Sequence, residues 1–156
     1  MEKLQVAYNK TLKMTNACVY QIQGEDFENL NKMIYQMENY IRSKGALPLG
    51  PLIQFTHVET GEKDEPNITI KFIRQANTFI VKTDPPYTME SVIRCPNCLF
   101  CRFTGEEKDL HFAYDKLNLL AYEEDIPLTG RSYTVFTAKS EDDFSADVFL
   151  EKKTQE

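Results

Sequence analysis

The sequence predicts an α+β protein in which duplicated βαββ units form one curved antiparallel sheet with two helices on one face. Three observations predict this. Short apolar runs alternate with polar residues at the period of strands. Two segments instead repeat apolar residues every three or four positions, the period of a helix packed on one side. The order strand, strand, helix, turn, strand, hairpin, strand occurs twice. The 156 residues are therefore expected to form a single domain, 1–156, with pseudo-repeats over about 1–76 and 88–152.

Residues 4–8 and 17–23 read as strands, the second placing Cys18, Tyr20 and Ile22 on one face and Ala17, Val19 and Gln21 on the other. Gly24 ends it. Residues 26–45 read as a helix whose stripe is Phe27, Leu30, Ile34, Met37 and Ile41, with Asp26 as N-cap and Gly45 as C-cap. ALPLGP (46–51) is a turn, 52–59 a strand, TGEKDEPN (60–67) a charged hairpin loop and 68–74 the returning strand. Pro85-Pro86 breaks any element in the linker. The second half repeats the order: strands at 89–94 and 97–103, and a helix with Leu110, Ala113, Leu117 and Leu120 at helical spacing. A turn DIPLTG, a strand SYTVFTA, a loop SEDDFS and a last strand ADVFLEK follow. Cys18 and Cys98, Tyr20 and Phe100, and Gly50 and Gly130 each stand eighty positions apart, and Tyr35 parallels Tyr114. Such a duplication is expected to leave a concave surface opposite the helices, with a small-molecule groove at the junction.

Composition narrows the function classes. The formal net charge of −6 argues against direct nucleic-acid binding, which wants a basic stripe. Apolar runs are too short to span a bilayer. The start, MEKLQVAYNK, has no apolar signal region, so a cytoplasmic location with reduced thiols is expected. Residues 1–15 are too few for a helix-turn-helix, and a stand-alone module is expected. No phosphate loop and no nucleophile elbow occur. His57 and His111 are isolated, and the acidic clusters EEKD, EED and SEDDFS read as solvated surface or, alternatively, as a docking patch for a basic partner.

CPNCLFC (95–101) is the run that most resembles a metal site. A zinc site needs four ligands, and the other candidates, Cys18, His57 and His111, lie on separate elements. Gly105 occupies the place where an iron–sulfur pattern wants its fourth cysteine. On a strand, Cys98 and Cys101 point to opposite faces. The expectation is that Pro96-Asn97 bends between two strands and that Cys98 and Cys101 pack, while Cys95 at the bend is exposed and oxidisable. Neither a metal nor any other cofactor is expected.

The run IRCPNCLFCRFTGEEKDLHFAYDKLNLLAYEEDIPLTGRSYTVF resembles the GyrI-like family, also called the bacterial effector-binding domain. Pro96, Gly105, Ala113-Tyr114, Leu117, Gly130 and Phe136 carry the resemblance. The first half fits through Gly24 and GPLIQF. The resemblance implies the curved sheet of two βαββ repeats and a groove for small molecules, often aromatic or cationic. Some members are fused to DNA-binding domains, some act on DNA gyrase, and some hydrolyse electrophilic compounds. Where the family carries a groove glutamate, this chain has Thr134, and its first-half counterpart is Gln54. Neither can charge-pair a cation or serve as a general base. Asp147 is the nearest substitute carboxylate.

The expected function is a small-molecule-binding module for an aromatic or apolar ligand. The expected lining is Tyr20, Gln54, Phe55, Phe72, Tyr87, Phe100, Thr134, Phe136 and Asp147. The alternatives are a protein–protein adaptor on the same fold, or a hydrolase using Asp147.

Overall fold

The computed structural model describes residues 3–60, 65–139 and 143–154. Residues 61–64 of the predicted hairpin loop at 60–67, and the start of the loop at 140–145, fall outside them. The elements are β1 (Lys3–Gln21), α1 (Leu30–Ser43), β2 (Pro48–Thr60), β3 (Pro66–Ala76), β4 (Tyr87–Gly105), α2 (His111–Glu123), β5 (Leu128–Lys139) and β6 (Phe144–Lys152). A short 3-10 turn precedes each helix. All strand pairs are antiparallel, in the order β1-β3-β2-β5-β6-β4.

The α+β class and the antiparallel sheet are as the sequence predicts. The sheet goes further and closes, because β1 also pairs with β4. Closure leaves no unpaired edge among the described strands. It also corrects the expected groove position. The face opposite the helices is the barrel interior, and it is filled by Met14, Ala17, Val19, Ile53, Ile73, Cys98, Phe100, Tyr133, Val135 and Phe149. Each large side chain fully buried there contributes about 1.5–3 kcal/mol.

Two strands are longer than the sequence suggests. Residues 3–21 form one strand, since Thr11-Leu12-Lys13-Met14-Thr15 continues the alternation and buries Met14 inside. Residues 87–105 likewise form one strand. Pro96-Asn97 is a bulge within it, where the register with β1 shifts and Asn97 takes φ 61°.

Each helix covers the outside of one half of the barrel. Met37 and Ile41 of α1 pack with Cys18, Ile22 and Phe72. Ala113, Leu117 and Ala121 of α2 pack with Leu99, Cys101, Phe103 and Val148. Helix α1 starts later than predicted. Asp26 does not cap it; its carboxylate accepts from Gln23 N at 3.0 Å and from the Tyr20 hydroxyl at 2.6 Å, which holds the 3-10 turn. Phe27 therefore leaves the stripe and is 49% exposed. Gly45 follows the helix with φ 80°, as a C-terminal glycine should.

The halves correspond strand for strand, but not at a uniform spacing. Gly50 and Gly130 both take positive φ, 72° and 91°, and both sit where register shifts widen the strand. In β1 and β4 the spacing is eighty-one, marked by Asn16 (φ 49°) and Asn97 (φ 61°). Cys18 thus corresponds to Leu99 and Tyr20 to Cys101, all facing the helices, whereas Cys98 and Phe100 face the interior. Pairing Cys18 with Cys98 was a one-residue slip, which reverses the face. Tyr35 is not the counterpart of Tyr114 either; it is 67% exposed, and Ile34 takes that place against the sheet.

Candidate functional site

The groove lies on the outer face of the β2–β5 seam, between the two helices. β2 and β5 pair with Ile53 opposite Val135, Gln54 opposite Thr134 and Phe55 opposite Tyr133. Ile53, Phe55, Tyr133 and Val135 point into the barrel, so Gln54, Thr134 and Phe136 point outward between the helices. Gly130 permits the close pairing: a Cβ there would run into the Val58 carbonyl oxygen.

Two cavities open from this seam. One, of about 670 Å³, lies toward α2 and is bounded by Leu110, Tyr114, Leu128, Ile70 and Phe136. The other, of about 540 Å³, lies toward α1 and is bounded by Leu30, Ile34, Leu52, Phe72 and Phe136. Gln54 and Phe136 border both. The volumes are those of small-molecule sites. Leu30 and Ile34 belong to the apolar stripe of α1; Ile34 packs against the sheet and borders the groove, whereas Leu30, one turn earlier, faces the groove and is 39% exposed.

The polar groups are few and distinct. Thr134 is 2% exposed and hydrogen-bonds the Tyr114 hydroxyl, so it forms the floor of the seam and not its surface. Burial pushes the Tyr114 phenol up to about 12, which keeps it protonated and available as a hydrogen-bonding group at neutral pH. Gln54 Nε2 makes only a long contact, 3.5 Å, to Thr56 Oγ1. Arg74 lines the α1-side cavity and pairs with Glu38 at 3.6 Å. Its Nε is buried and has no hydrogen-bond partner among the described residues. Lys139 and Glu107 meet at 3.2 Å on the rim.

Of the nine residues named from sequence, Gln54, Phe72 and Phe136 line the groove and Thr134 lies directly beneath it. The others lie elsewhere. Tyr20 is bound to Asp26, and Tyr87 stacks on Tyr40 at 4.1 Å, both at the far side of α1. Phe55 and Phe100 belong to the barrel interior. Asp147 also departs from its expected place. It lies opposite Val135 on the interior-facing side, is 8% exposed, and accepts from Arg102 Nε at 2.9 Å and Nη2 at 3.2 Å. It is neither solvated nor a groove carboxylate.

Sequence reading missed Leu30, Ile34, Leu110, Tyr114 and Arg74. The helical residues carried a signal, since they are the N-terminal ends of the two apolar stripes. Arg74 carried none. His57 sits 3.3 Å from Glu59, and His111 Nδ1 lies 3.2 Å from the Lys108 carbonyl, each apart from any nucleophile.

No family model matches the chain, and no curated protein does. Solved structures do. One is EcmrR, seen by cryo-electron microscopy in an EcmrR–DNA complex, with TM-score 0.72 and 17% identity, covering 97% of this chain and 58% of EcmrR. The chain thus spans a little over half of that protein's length. A hydrolase from Listeria innocua gives TM-score 0.50 and 9% identity, covering 94% of this chain and 92% of that one. SAV2435 bound to tetraphenylphosphonium gives TM-score 0.49 and 9% identity over 98% and 94% of the two chains. At these identities the likeness is one of fold.

Proposed function

We propose that the chain is a small-molecule-binding module of the GyrI-like type, with its ligand held in the seam between α1 and α2. The observation that carries this reading is the pair of apolar cavities that meet at Gln54 and Phe136. The likeness of fold to EcmrR supports it, and a regulatory use fits a protein seen on DNA, although the matched region is 58% of EcmrR.

The lining supports one ligand class. Phe136 and Phe72 offer flat faces, and Leu30, Ile34 and Leu52 complete an apolar wall, which suits an aromatic or apolar body. Arg74 Nε is a buried donor without an acceptor among the described residues, a state that costs about 1–3 kcal/mol. A ligand oxygen reaching it would relieve that cost. The preferred ligand is therefore aromatic and carries a neutral or anionic acceptor, and a cation is disfavoured beside Arg74.

Thermal denaturation with a panel of aromatic compounds, each in carboxylate, amide and quaternary-ammonium form, tests this. A ligand at one hundred times its Kd stabilises by about 2.7 kcal/mol. Carboxylates or amides should raise Tm, and Phe136→Ala should remove the rise. A panel without any effect, or a rise untouched by Phe136→Ala, would overturn the reading.

A further inference from the structure

We infer that Cys95 and Cys98 form a peroxide-reactive dithiol that closes to an intramolecular disulfide. The inference stands apart from the groove. In a regular strand, residues three apart point to opposite faces. The bulge at Pro96-Asn97 cancels that alternation and turns both side chains inward, into one cluster. Their sulfurs lie 3.4 Å apart. Cys95 is buried, contrary to the exposure expected from sequence. Pro96 and Asn97, the two residues between the pair in the chain, are exposed, so the bulge itself reaches solvent.

The surroundings divide the labour between the two thiols. Cys95 Sγ lies 3.1 Å from Glu151 Oε2 and can donate either to that carboxylate or to Cys98. The contact with Cys95 lowers the proton affinity of Cys98, while Cys95 itself is pushed up by Cys98, by burial and by Glu151. Cys98 is thus the nucleophile and Cys95 the resolving thiol. The Glu151 side chain is 21% exposed, pairs with Arg131 at 3.6 Å through Oε1, and presents Oε2 to the Cys95 thiol.

The chemistry balances with hydrogen peroxide as the oxidant. The Cys98 thiolate attacks one peroxide oxygen, the O–O bond breaks, and the second oxygen leaves as hydroxide, which takes a proton to become water. Cys98 is then a sulfenic acid. Cys95 passes its proton to Glu151 and attacks the Cys98 sulfur. The S–O bond breaks, and the departing hydroxide takes the proton from Glu151. Two thiols are oxidised to one disulfide, and one peroxide is reduced to two waters. Cys18 and Cys101 take no part, because each is buried against a different helix on the outer face.

Peptide mapping of the intact folded chain tests this directly. The protein is treated with hydrogen peroxide, denatured, alkylated and cut with trypsin. Arg94 and Arg102 bound a single peptide, CPNCLFCR, that holds all three cysteines of the run. Before peroxide it should carry three alkyl groups. Afterwards it should carry one, at Cys101, and the remainder should be lighter by two hydrogens. Cys95→Ser should leave Cys98 as a sulfenic acid trapped by dimedone, and Cys98→Ser should leave Cys95 alkylatable. Glu151→Gln should slow closure and raise the trapped sulfenic acid, which a purely structural role would not do. Three alkyl groups after peroxide, or a disulfide that uses Cys101, would overturn the inference. The mapping of the unmutated chain decides this even if a serine variant fails to fold.

Discussion

Gln54 and Thr134 face each other across the β2–β5 seam, and they are also eighty positions apart, the spacing that relates the two halves there. A residue paired with its own counterpart must lie on the pseudo-twofold axis. On the opposite side of the barrel, Lys13 pairs with Arg94, at the spacing of eighty-one that Asn16 and Asn97 set for those strands. The axis thus enters at the Lys13–Arg94 pair and leaves at the groove. The two cavities are related by this axis: Leu30 corresponds to Leu110 and Ile34 to Tyr114. The lobes differ in chemistry because Arg74, toward α1, corresponds to Leu150, toward α2.

The floor of the groove rests on a single polar pair. Thr134→Val keeps the shape but leaves the Tyr114 hydroxyl without its partner. Chemical denaturation should show a loss of about 1–3 kcal/mol. Tyr114→Phe alone should cost a similar amount. The double variant should recover much of the loss, since neither unpaired group then remains, and such coupling is what a double-mutant cycle reads. Additive losses would show that the two hydroxyls do not depend on each other.

Two glycines at equivalent places should respond unequally to alanine. At Gly50 the added Cβ meets only the end of Gln75, 3.6 Å away, so the cost is that of the left-handed backbone, about 1–2 kcal/mol. At Gly130 the same penalty applies, and the Cβ also runs into the Val58 carbonyl across the seam. Gly130→Ala should therefore be the more destabilising in a urea titration and should reduce ligand binding, because β5 must move away from β2. Equal midpoints for the two variants would contradict the register described for this seam.

How far the sequence reveals this structure depends on what kind of signal each element sends. Helical periodicity is local, so α1 and α2 were legible, apart from an N-terminus misplaced by Asp26, whose carboxylate serves the preceding turn. The strand content was legible for the same reason. Barrel closure was not, because it depends on β1 pairing with β4 over long distances in the chain. The spacing of eighty read from Cys18–Cys98, Tyr20–Phe100 and Gly50–Gly130 fits the two glycines but slips by one residue in β1 and β4; there the asparagines with positive φ are the better markers, since backbone conformation constrains residue type more than packing of a small thiol does. Gln54 and Phe136 have the outward parity of the seam, and Phe72 shares it as the β3 partner of Gln54. Phe55, Phe100 and Asp147 have the other parity, which nothing in a single sequence fixes.

Asp147 should matter to stability and not to binding. Its side chain is 11% exposed, and the bidentate contact with Arg102 is what compensates its burial. Arg102→Ala should destabilise the fold, by about 1–3 kcal/mol. Because the Arg102 side chain is itself 54% exposed, the lower part of that range is expected. Asp147→Asn should leave groove ligands bound with unchanged affinity, since the residue faces away from them. A loss of binding, or loss of turnover of an activated ester, would restore the residue to a catalytic place.

Alkaline titration offers a separate test of the burial assigned to Tyr114 and Tyr133. Burial pushes both phenols up to about 12. A group whose folded pKa is raised above its unfolded value stabilises the fold while it stays protonated. That contribution is complete below the unfolded value, about 10, and is lost as pH rises toward 12. Stability should therefore fall steadily over this window, and the tyrosinate absorbance of the two buried rings should appear only near its upper end or on unfolding. Tyr114→Phe removes one of the two groups, so the alkaline fall in Tm should become shallower than in the parent chain. A fall of unchanged steepness would show that Tyr114 is as accessible to hydroxide in the folded protein as in the unfolded one.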